Sequence, residues 1–382
     1  MRAIVIIGSG LAGYTLAKEL NKLATETLLH IITRDAGAFY SKPMLSNALA
    51  KGKTAETLAT AGAEQMAAQL HATIWTHTEA TAIDAAARAA AARGETLAYD
   101  KLVLAVGAEP IRPPLDGDGA AAVCSINNLA DYARFREQIE DARRVAVIGP
   151  GLIGCEFAND LVQAGKQVTV IGPSSAPLDR LLPPAAGRAL QEALAAVGIV
   201  WRLGVTARRV ERRGKALALQ LSDGSVVEAD AILSAVGLRP STALARAAGI
   251  KVNRGIVVVR YLEISAPDVF ALGDCAEVEG LVLPFVMPIM QAARALAQTL
   301  AGTRTAVAYP AMPVVVKTPA HAVVVAPPPP GVEVTWDIEV EEEGGVRALC
   351  RDGHGKLRGF ALTGTTVAQK QMLSKDLPPW LE

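Results

Sequence analysis

Two glycine fingerprints, each at the end of a short apolar run, constrain this chain more than any other feature. Residues 3–13 read AIVIIGSGLAG and residues 145–154 read VAVIGPGLIG. Both runs enter G-x-G-x-x-G from β-branched residues and leave it into a helical pattern. The glycines are Gly8, Gly10 and Gly13 in the first, and Gly149, Gly151 and Gly154 in the second. The motif uses glycine for a tight turn, for close approach of the backbone to a pyrophosphate, and for close packing of helix on strand. One copy is a weak signal, but two copies in a strand–turn–helix context predict two dinucleotide sites. Each pyrophosphate would rest on a helix N-terminus, where free N–H groups and the helix dipole favour negative charge. Residues 268–277, DVFALGDCAE, add a flavin-type Gly-Asp signature at Gly273-Asp274. The chain is therefore expected to return to its first nucleotide domain, with FAD in that domain and NADH in the second. Two dinucleotides bound end to end make a hydride relay.

The length of 382 residues predicts two or three domains with ample core. Lys+Arg and Asp+Glu both total 38, so no net charge points to a nucleic-acid partner. The four cysteines (Cys124, Cys155, Cys275 and Cys350) lie far apart, with no C-x-x-C and no metal-ligand spacing. No metal site is expected, and this usage fits a reducing cytoplasm rather than a disulfide framework. The start imitates a secretory leader, but its small residues sit where a phosphate loop needs them. No run of about 18 uncharged apolar residues suggests a membrane span; abundant alanine accounts for the hydrophobicity.

The first βαβ unit reads as strand 3–7, helix 11–22 and strand 27–33. A loop with a proline follows at FYSKPMLS, residues 39–46, then helical composition over 54–70 and strand-like alternation over 71–83. Residues 83–100 are alanine-rich, and propensity alone says helix; Gly94 and the strand beginning near Leu102 favour a β-hairpin. KLVLAVGAEP (101–110) is a buried strand with a Gly turn and a Pro exit. A helix over 129–140 leads into the second unit: strand 145–148, helix 152–164, strand 167–171. Residues 200–232 read as a β-meander. AILSAVGLRP (231–240) echoes 101–110, a helix spans 287–300, and the tail from about 309 is strand-rich. The expected fold is α/β. A FAD domain is split over 1–112 and 237–308, an NAD domain is inserted at 113–236, and a small α+β domain occupies 309–382.

An acid about 20 residues beyond the first fingerprint should bind the adenosine ribose, and Asp35 in IITRD is placed for it. In the second unit the strand ends in Gly172-Pro173 where such an acid would stand. No basic cluster offers to hold a 2′-phosphate, Arg180 being the only nearby cation. NADH is the expected donor, and an acid installed at Gly172 should sharpen that choice. Glu156 lies in the first turn of its helix, at the expected meeting point of nicotinamide and flavin; Lys42 is the complementary cation. A buried lysine needs a counter-charge, so the expectation is a Lys42–Glu156 ion pair, with Lys317 as a second cation near the flavin pyrimidine edge.

The segments GSGLAG, YSKPMLS, YDKLVLAVGAEP, GLIGCEFAND, AVGLRP, NRGIVV, ALGDCAEV, VMPIM and VKTPA together resemble the rubredoxin–NAD(+) reductase family. That family is a branch of the glutathione-reductase-like two-dinucleotide flavoproteins. The likeness covers nearly the whole chain. It implies that Gly10, Leu11, Ala12, Gly13, Asp35, Lys42, the backbone at Ala80, Glu156, Asp274, Val286 and Lys317 contact FAD. Asp274 would hold a ribitol hydroxyl, and Val286 would offer its amide to the pyrimidine edge. It also implies electron transfer from NADH through FAD to rubredoxin, as in supply to alkane hydroxylation.

Departures from relatives narrow the chemistry. Disulfide reductases of this superfamily carry a cysteine pair beside the flavin, and peroxide- and oxygen-reducing relatives carry one cysteine; here that region is SKPMLS. Electrons should therefore leave through the flavin, singly. Cys155 and Cys275 read as packing residues. His321, four residues after Lys317, departs from the family pattern and reads first as a neutral structural histidine, with a place near the flavin as the alternative. A ferredoxin-type reductase or an NADH oxidase are the rival enzyme readings, and an NADH-sensing flavoprotein is the rival outside enzymology.

Overall fold

In the computed structural model, which describes residues 2–23, 27–329, 331–341 and 344–382, the chain builds one plan twice and then adds a third unit. The first sheet has five parallel strands in the order Val269–Ala271, Lys101–Leu104, Arg2–Ile7, Thr27–Ile32, Ala72–Trp75. A parallel sheet is covered on both faces, which is why its central strands are continuous apolar runs with Ile4, Val5 and Ile6 fully enclosed. The helices Leu11–Lys22 and Val286–Leu300 pack against each other. A three-stranded antiparallel sheet, Ala80–Asp84, Ala89–Ala92 and Glu95–Ala98, contributes Ile83, Ala90 and Ala92 to the same core.

The second sheet repeats the arrangement with four parallel strands: Ile199–Leu203, Gln167–Gly172, Arg144–Ile148, Ala231–Ser234. Its antiparallel companion is Ala207–Arg213, Ala216–Leu221 and Val226–Ala229. The sequence echo between residues 101–110 and 231–240 has a structural cause: the exit strands Ala108–Pro110 and Leu238–Pro240 pair with each other. They form the two-stranded connector through which the chain leaves the first unit and returns to it.

The third unit is an antiparallel sheet in the order Val314–Val316, Val323–Ala326, Leu357–Thr363, Val346–Arg351, Thr335–Val340. Alternation along a strand sends successive side chains to opposite faces, and here both faces are used. Val323, Val325, Val346, Ala348 and Ala361 join the core of the second nucleotide unit. Val324, Leu349, Phe360 and Leu362 close over Leu373 of the helix Lys370–Lys375.

The alanine-rich stretch is a hairpin, as expected, because Arg93 and Gly94 take φ of +53° and +74° in a two-residue loop of the left-handed kind that matches strand twist. Other local expectations change. Residues 71–83 form not one strand but two, Ala72–Trp75 and Ala80–Asp84, in different sheets, parted at His77 with φ +50°. The meander begins later than residue 200. Ile199–Leu203 belongs to the parallel sheet, and Gly204 at φ +75° turns the chain out of it. The proline loop is a 3₁₀ helix, Lys42–Asn47. A helix at Pro184–Ala196, absent from the sequence reading, covers the second sheet with Ala186, Leu190 and Leu194. Among the described residues no helix is long and apolar enough to cross a membrane.

Candidate functional site

The two fingerprints fold alike. Gly8 has φ +114° and Gly149 φ +111°. A Cβ on either would lie 2.2 Å from the carbonyl oxygen of Ala105 or 2.5 Å from that of Ala235. A Cβ on Gly13 or Gly154 would sit 1.9 Å from the carbonyl oxygen of Gly8 or Gly149, so helix and strand touch there. The middle glycines differ. Gly10 and Gly151 have nothing within 4 Å of a built Cβ, and each begins a helix (Leu11–Lys22, Leu152–Gln163) with no side-chain cap. Space and free N–H groups coincide there, as pyrophosphate binding requires.

This correspondence can be carried along the chain. Gly8 N donates to Ile32 O and Gly149 N to Ile171 O, both at 2.8 Å, so the counterpart of Asp35 is Ser174. Asp35 is exposed, and its Oδ1 accepts from Thr33 Oγ1 and from Gly37 N, both at 2.8 Å. Its other oxygen accepts no hydrogen bond among the described residues. In the second unit Pro150 replaces Ser9, Gly172 replaces Thr33 and Ser174 replaces the acid. A Cβ on Gly172 would meet Pro150 Cδ at 2.1 Å. The expected gain from an acid at Gly172 holds only if the loop tolerates losing its glycine, and the proline ring fills that volume; the position that corresponds to Asp35 is two residues on, at Ser174.

Asp274 lies in the 3₁₀ turn Gly273–Cys275, pressed on the first helix, where a Cβ on Gly273 would come 2.7 Å from Ala12 Cβ. Its Oδ1 is buried without a hydrogen-bond partner. Burial pushes the carboxyl above its usual range, and the Lys42 ammonium opposes that shift. Burial in turn pulls the Lys42 ammonium down, against the attraction of Asp274 and then Asp131. Val286 opens the helix Val286–Leu300, also without a side-chain cap, and Ala80 opens the strand Ala80–Asp84 at the edge of its meander. An orphaned buried carboxylate oxygen, an open glycine and two uncapped helix starts fit a phosphorylated, polyhydroxylated cofactor such as FAD.

Glu156 is wholly buried. Its Oε2 accepts from Ser46 Oγ at 2.5 Å and pairs with Lys317 Nζ, and its Oε1 accepts from Lys317 N at 2.8 Å. The expected Lys42–Glu156 ion pair is not formed: the partner is Lys317, and Lys42 lies in the electrostatic field of Asp274 and Asp131. The geometry gives the reason. In a 3₁₀ helix each residue advances about 120°, so Ser46 points to Glu156 while Lys42, four positions earlier, is turned about a third of a revolution away. Lys317, at the end of Val314–Val316, reaches the carboxylate with both its backbone and its side chain.

Sequence reasoning missed three further polar groups here. Asn159 and Asp160 lie on the same helix face as Glu156, and both are buried. Asn159 Oδ1 accepts from Ala320 N at 3.3 Å; Asp160 accepts from Leu49 N at 2.8 Å and Ala50 N at 3.1 Å. Ser46 is the third. The signal was available, since Glu156, Asn159 and Asp160 stand at i, i+3 and i+4 in an apolar helix and must share one face. His321 is half-buried, its Nε2 enclosed without a partner and its imidazole pKa lowered by burial.

The thiols are poor nucleophiles. Burial pushes Cys155 and Cys275 up to about 12, and each sulfur lies against backbone carbonyls, Pro150 O for Cys155 and Leu272 O and Leu104 O for Cys275. Reactive thiols have lowered values. Replacing either by alanine is expected to leave turnover within about ten-fold, or 1.4 kcal/mol of barrier. A larger loss in steady-state assays of properly folded variants would bring a thiol back into the chemistry.

Comparison with known proteins places this geometry. Residues 2–299 match the family model of pyridine nucleotide-disulphide oxidoreductases, and residues 306–377 match the rubredoxin binding C-terminal domain. The rubredoxin-NAD(+) reductase of Alcanivorax borkumensis is 47% identical over 99% of both chains. That of Acinetobacter baylyi is 46% identical over 99% of this chain and 98% of its own. Among solved structures, a ferredoxin reductase from Rhodopseudomonas palustris superposes with TM-score 0.89 at 25% identity, covering 99% of this chain and 96% of the other. The NADH:rubredoxin oxidoreductase of Clostridium acetobutylicum shares the fold at TM-score 0.81 and 20% identity, covering 98% and 94%. The chain belongs to the pyridine nucleotide-disulphide oxidoreductase family, in its rubredoxin-NAD(+) reductase branch.

Proposed function

We propose that this protein is a cytoplasmic, FAD-dependent reductase that passes electrons from NADH to rubredoxin, one at a time. One observation carries the reading. Lys317, in the segment matching the rubredoxin binding domain, pairs with Glu156 on the first helix of the second nucleotide unit, beside Ser46 of the first. Nicotinamide side, flavin side and partner-binding unit meet at one carboxylate. FAD supplies the chemistry when bound, accepting two electrons from NADH and releasing them singly.

The chain supplies position and charge. Residues 1–112 and 237–308 hold FAD, 113–236 hold NADH, and 309–382 form the rubredoxin interface. The N–H groups after Gly10, at Leu11, Ala12 and Gly13, take the FAD pyrophosphate, and those after Gly151 take that of NADH. Asp35 accepts a ribose hydroxyl, the Ala80 backbone borders the cofactor, Asp274 accepts a ribitol hydroxyl, and the Val286 amide faces the pyrimidine edge. Lys42 and Lys317 are cations that stabilise the charge arriving with the electrons, and Glu156 holds Lys317 in place through its backbone N–H and its ammonium. No residue in this arrangement supplies a reactive thiol, in keeping with exit through the flavin. The free cysteines also suit a reducing compartment.

Steady-state NADH oxidation with rubredoxin, ferredoxin and oxygen compared side by side tests this reading. Rubredoxin is expected to give the highest kcat/KM. Preference for ferredoxin or oxygen would overturn the acceptor, and slow turnover with all three would point to a sensor.

Donor choice has its own test. Ser174→Asp should lower kcat/KM for NADPH by about ten-fold, since a carboxylate would then face the 2′-phosphate, while NADH is spared. Gly172→Glu should impair both donors because of the Pro150 ring. Equal loss with both donors in Ser174→Asp would show that Ser174 is not at the ribose.

A further inference from the structure

We propose that Asp160 is a positioning residue for the NADH half of the reaction: it clamps the segment that carries Lys42 and Ser46 onto the first helix of the nicotinamide-binding unit. The proposal rests on the electron-transfer reading above and adds a residue that this reading does not use.

The helix Leu152–Gln163 presents Glu156, Asn159 and Asp160 on one buried face. A carboxylate enclosed in this way is costly unless hydrogen bonds satisfy it, and packing alone would be met by an apolar side chain. Asp160 is satisfied by two backbone N–H groups, Leu49 and Ala50. It forms no ion pair among the described residues. These donors follow directly on the 3₁₀ helix Lys42–Asn47, where the chain needs partners from outside that helix.

The contacts form two clamps that share Glu156. In the first, Ser46 binds Glu156 while Leu49 binds Asp160. Residues three apart on the segment thus engage residues four apart on the helix, spaced roughly 6 Å along its axis. In the second, Lys317 binds Glu156 while Ala320 binds Asn159. A segment held at one point can pivot; held at two it has a fixed direction and register. Asp160 is the second point for the segment whose first residue is Lys42. Loosening it frees Ser46 and Lys42 to shift relative to Glu156, and the nicotinamide unit loses its registry with the flavin side.

The test uses the full-length, FAD-loaded protein as wild type, Asp160→Ala and Asp160→Asn, the last keeping one acceptor oxygen. Anaerobic stopped-flow should show flavin reduction by NADH about ten-fold slower in Asp160→Ala, equivalent to 1.4 kcal/mol, with Asp160→Asn between. Flavin content, and re-oxidation of dithionite-reduced protein by rubredoxin, should stay within about two-fold. In FAD-free protein, hydrogen exchange should accelerate at the Leu49 and Ala50 amides in Asp160→Ala while the helix 152–163 stays protected. Wild-type reduction rates in Asp160→Ala would overturn the proposal, as would both half-reactions falling together with global loss of protection. If Asp160→Ala does not fold, Asp160→Asn decides by the same readouts. Wild-type flavin untouched by NADH would instead defeat the electron-transfer reading, and the exchange measurement would still decide whether the clamp exists.

Discussion

Removing the Lys317 ammonium, as in Lys317→Met, is expected to cost about 2–3 kcal/mol of folding stability and to slow flavin reduction by NADH. Losing one partner of an enclosed ion pair costs roughly 3–5 kcal/mol, because the other charge stays buried without compensation. The lower figure applies here because the Lys317 side chain keeps 29% of its exposure, whereas Glu156 has none. Glu156 would then be left with Ser46 Oγ and the backbone N–H of residue 317 as donors. Glu156→Gln should be milder, near 1 kcal/mol, since the amide still fits between those groups and the freed ammonium can turn towards water. The two changes share one contact, so the double variant should be more stable than the sum of singles predicts, by about 1–2 kcal/mol of coupling. Urea unfolding of the four FAD-loaded proteins measures this directly. Strict additivity would show that the pair contributes nothing beyond its separate groups. Lys42→Met, by contrast, should show no coupling to Glu156→Gln, since Lys42 lies in the field of Asp274 and Asp131.

That reassignment shows where the sequence was legible. The nucleotide units could be read because their glycines are fixed by local backbone geometry: φ near +110° at Gly8 and Gly149, carbonyl contact at Gly13 and Gly154. Such constraints act within some 30 residues and leave a spaced pattern. The return of the chain to the first sheet was legible too, from the Gly-Asp signature. Who pairs with Glu156 was not. Lys42 and Lys317 are both lysines flanked by loop residues, and the choice is made by a strand of the third unit arriving from 161 positions away. No local spacing encodes that arrival. Gly172 is an intermediate case. Its place at the strand end was clear, but the obstacle to an acid is the ring of Pro150 across the sheet, a contact between two correctly identified elements. The polar face Glu156, Asn159, Asp160 was legible in principle. It shows only in helical phase, since each of the three residues taken singly could stand on any polar face of a helix.

Asp274→Ala should weaken FAD binding by about 1.5–3 kcal/mol, the worth of a hydrogen bond to a charged group, which is roughly a ten- to hundred-fold rise in Kd. Fluorescence titration of FAD-free protein measures it, and a change below about two-fold would remove Asp274 from the cofactor site. The same carboxylate carries an opposite effect on the protein without cofactor. Burial lifts its folded-state pKa above the unfolded value even though Lys42 pulls it down. A raised carboxyl favours the fold fully only below its unfolded value, near 3.9, and that contribution is lost as pH rises through the folded value. Above that folded value the FAD-free fold carries an ionised carboxylate it holds poorly, with Oδ1 enclosed and unpartnered. Asp274→Asn keeps the shape and removes the charge. In FAD-free protein its stability should match wild type near the unfolded carboxyl value and exceed it as pH rises through the folded value, while its FAD affinity falls because a neutral acceptor replaces a charge-assisted one. Denaturant unfolding across that range decides the matter. A difference that is flat with pH, or that grows towards acid, would mean that the carboxylate is comfortable without its ligand and that Asp274 was placed for packing rather than for the ribitol chain.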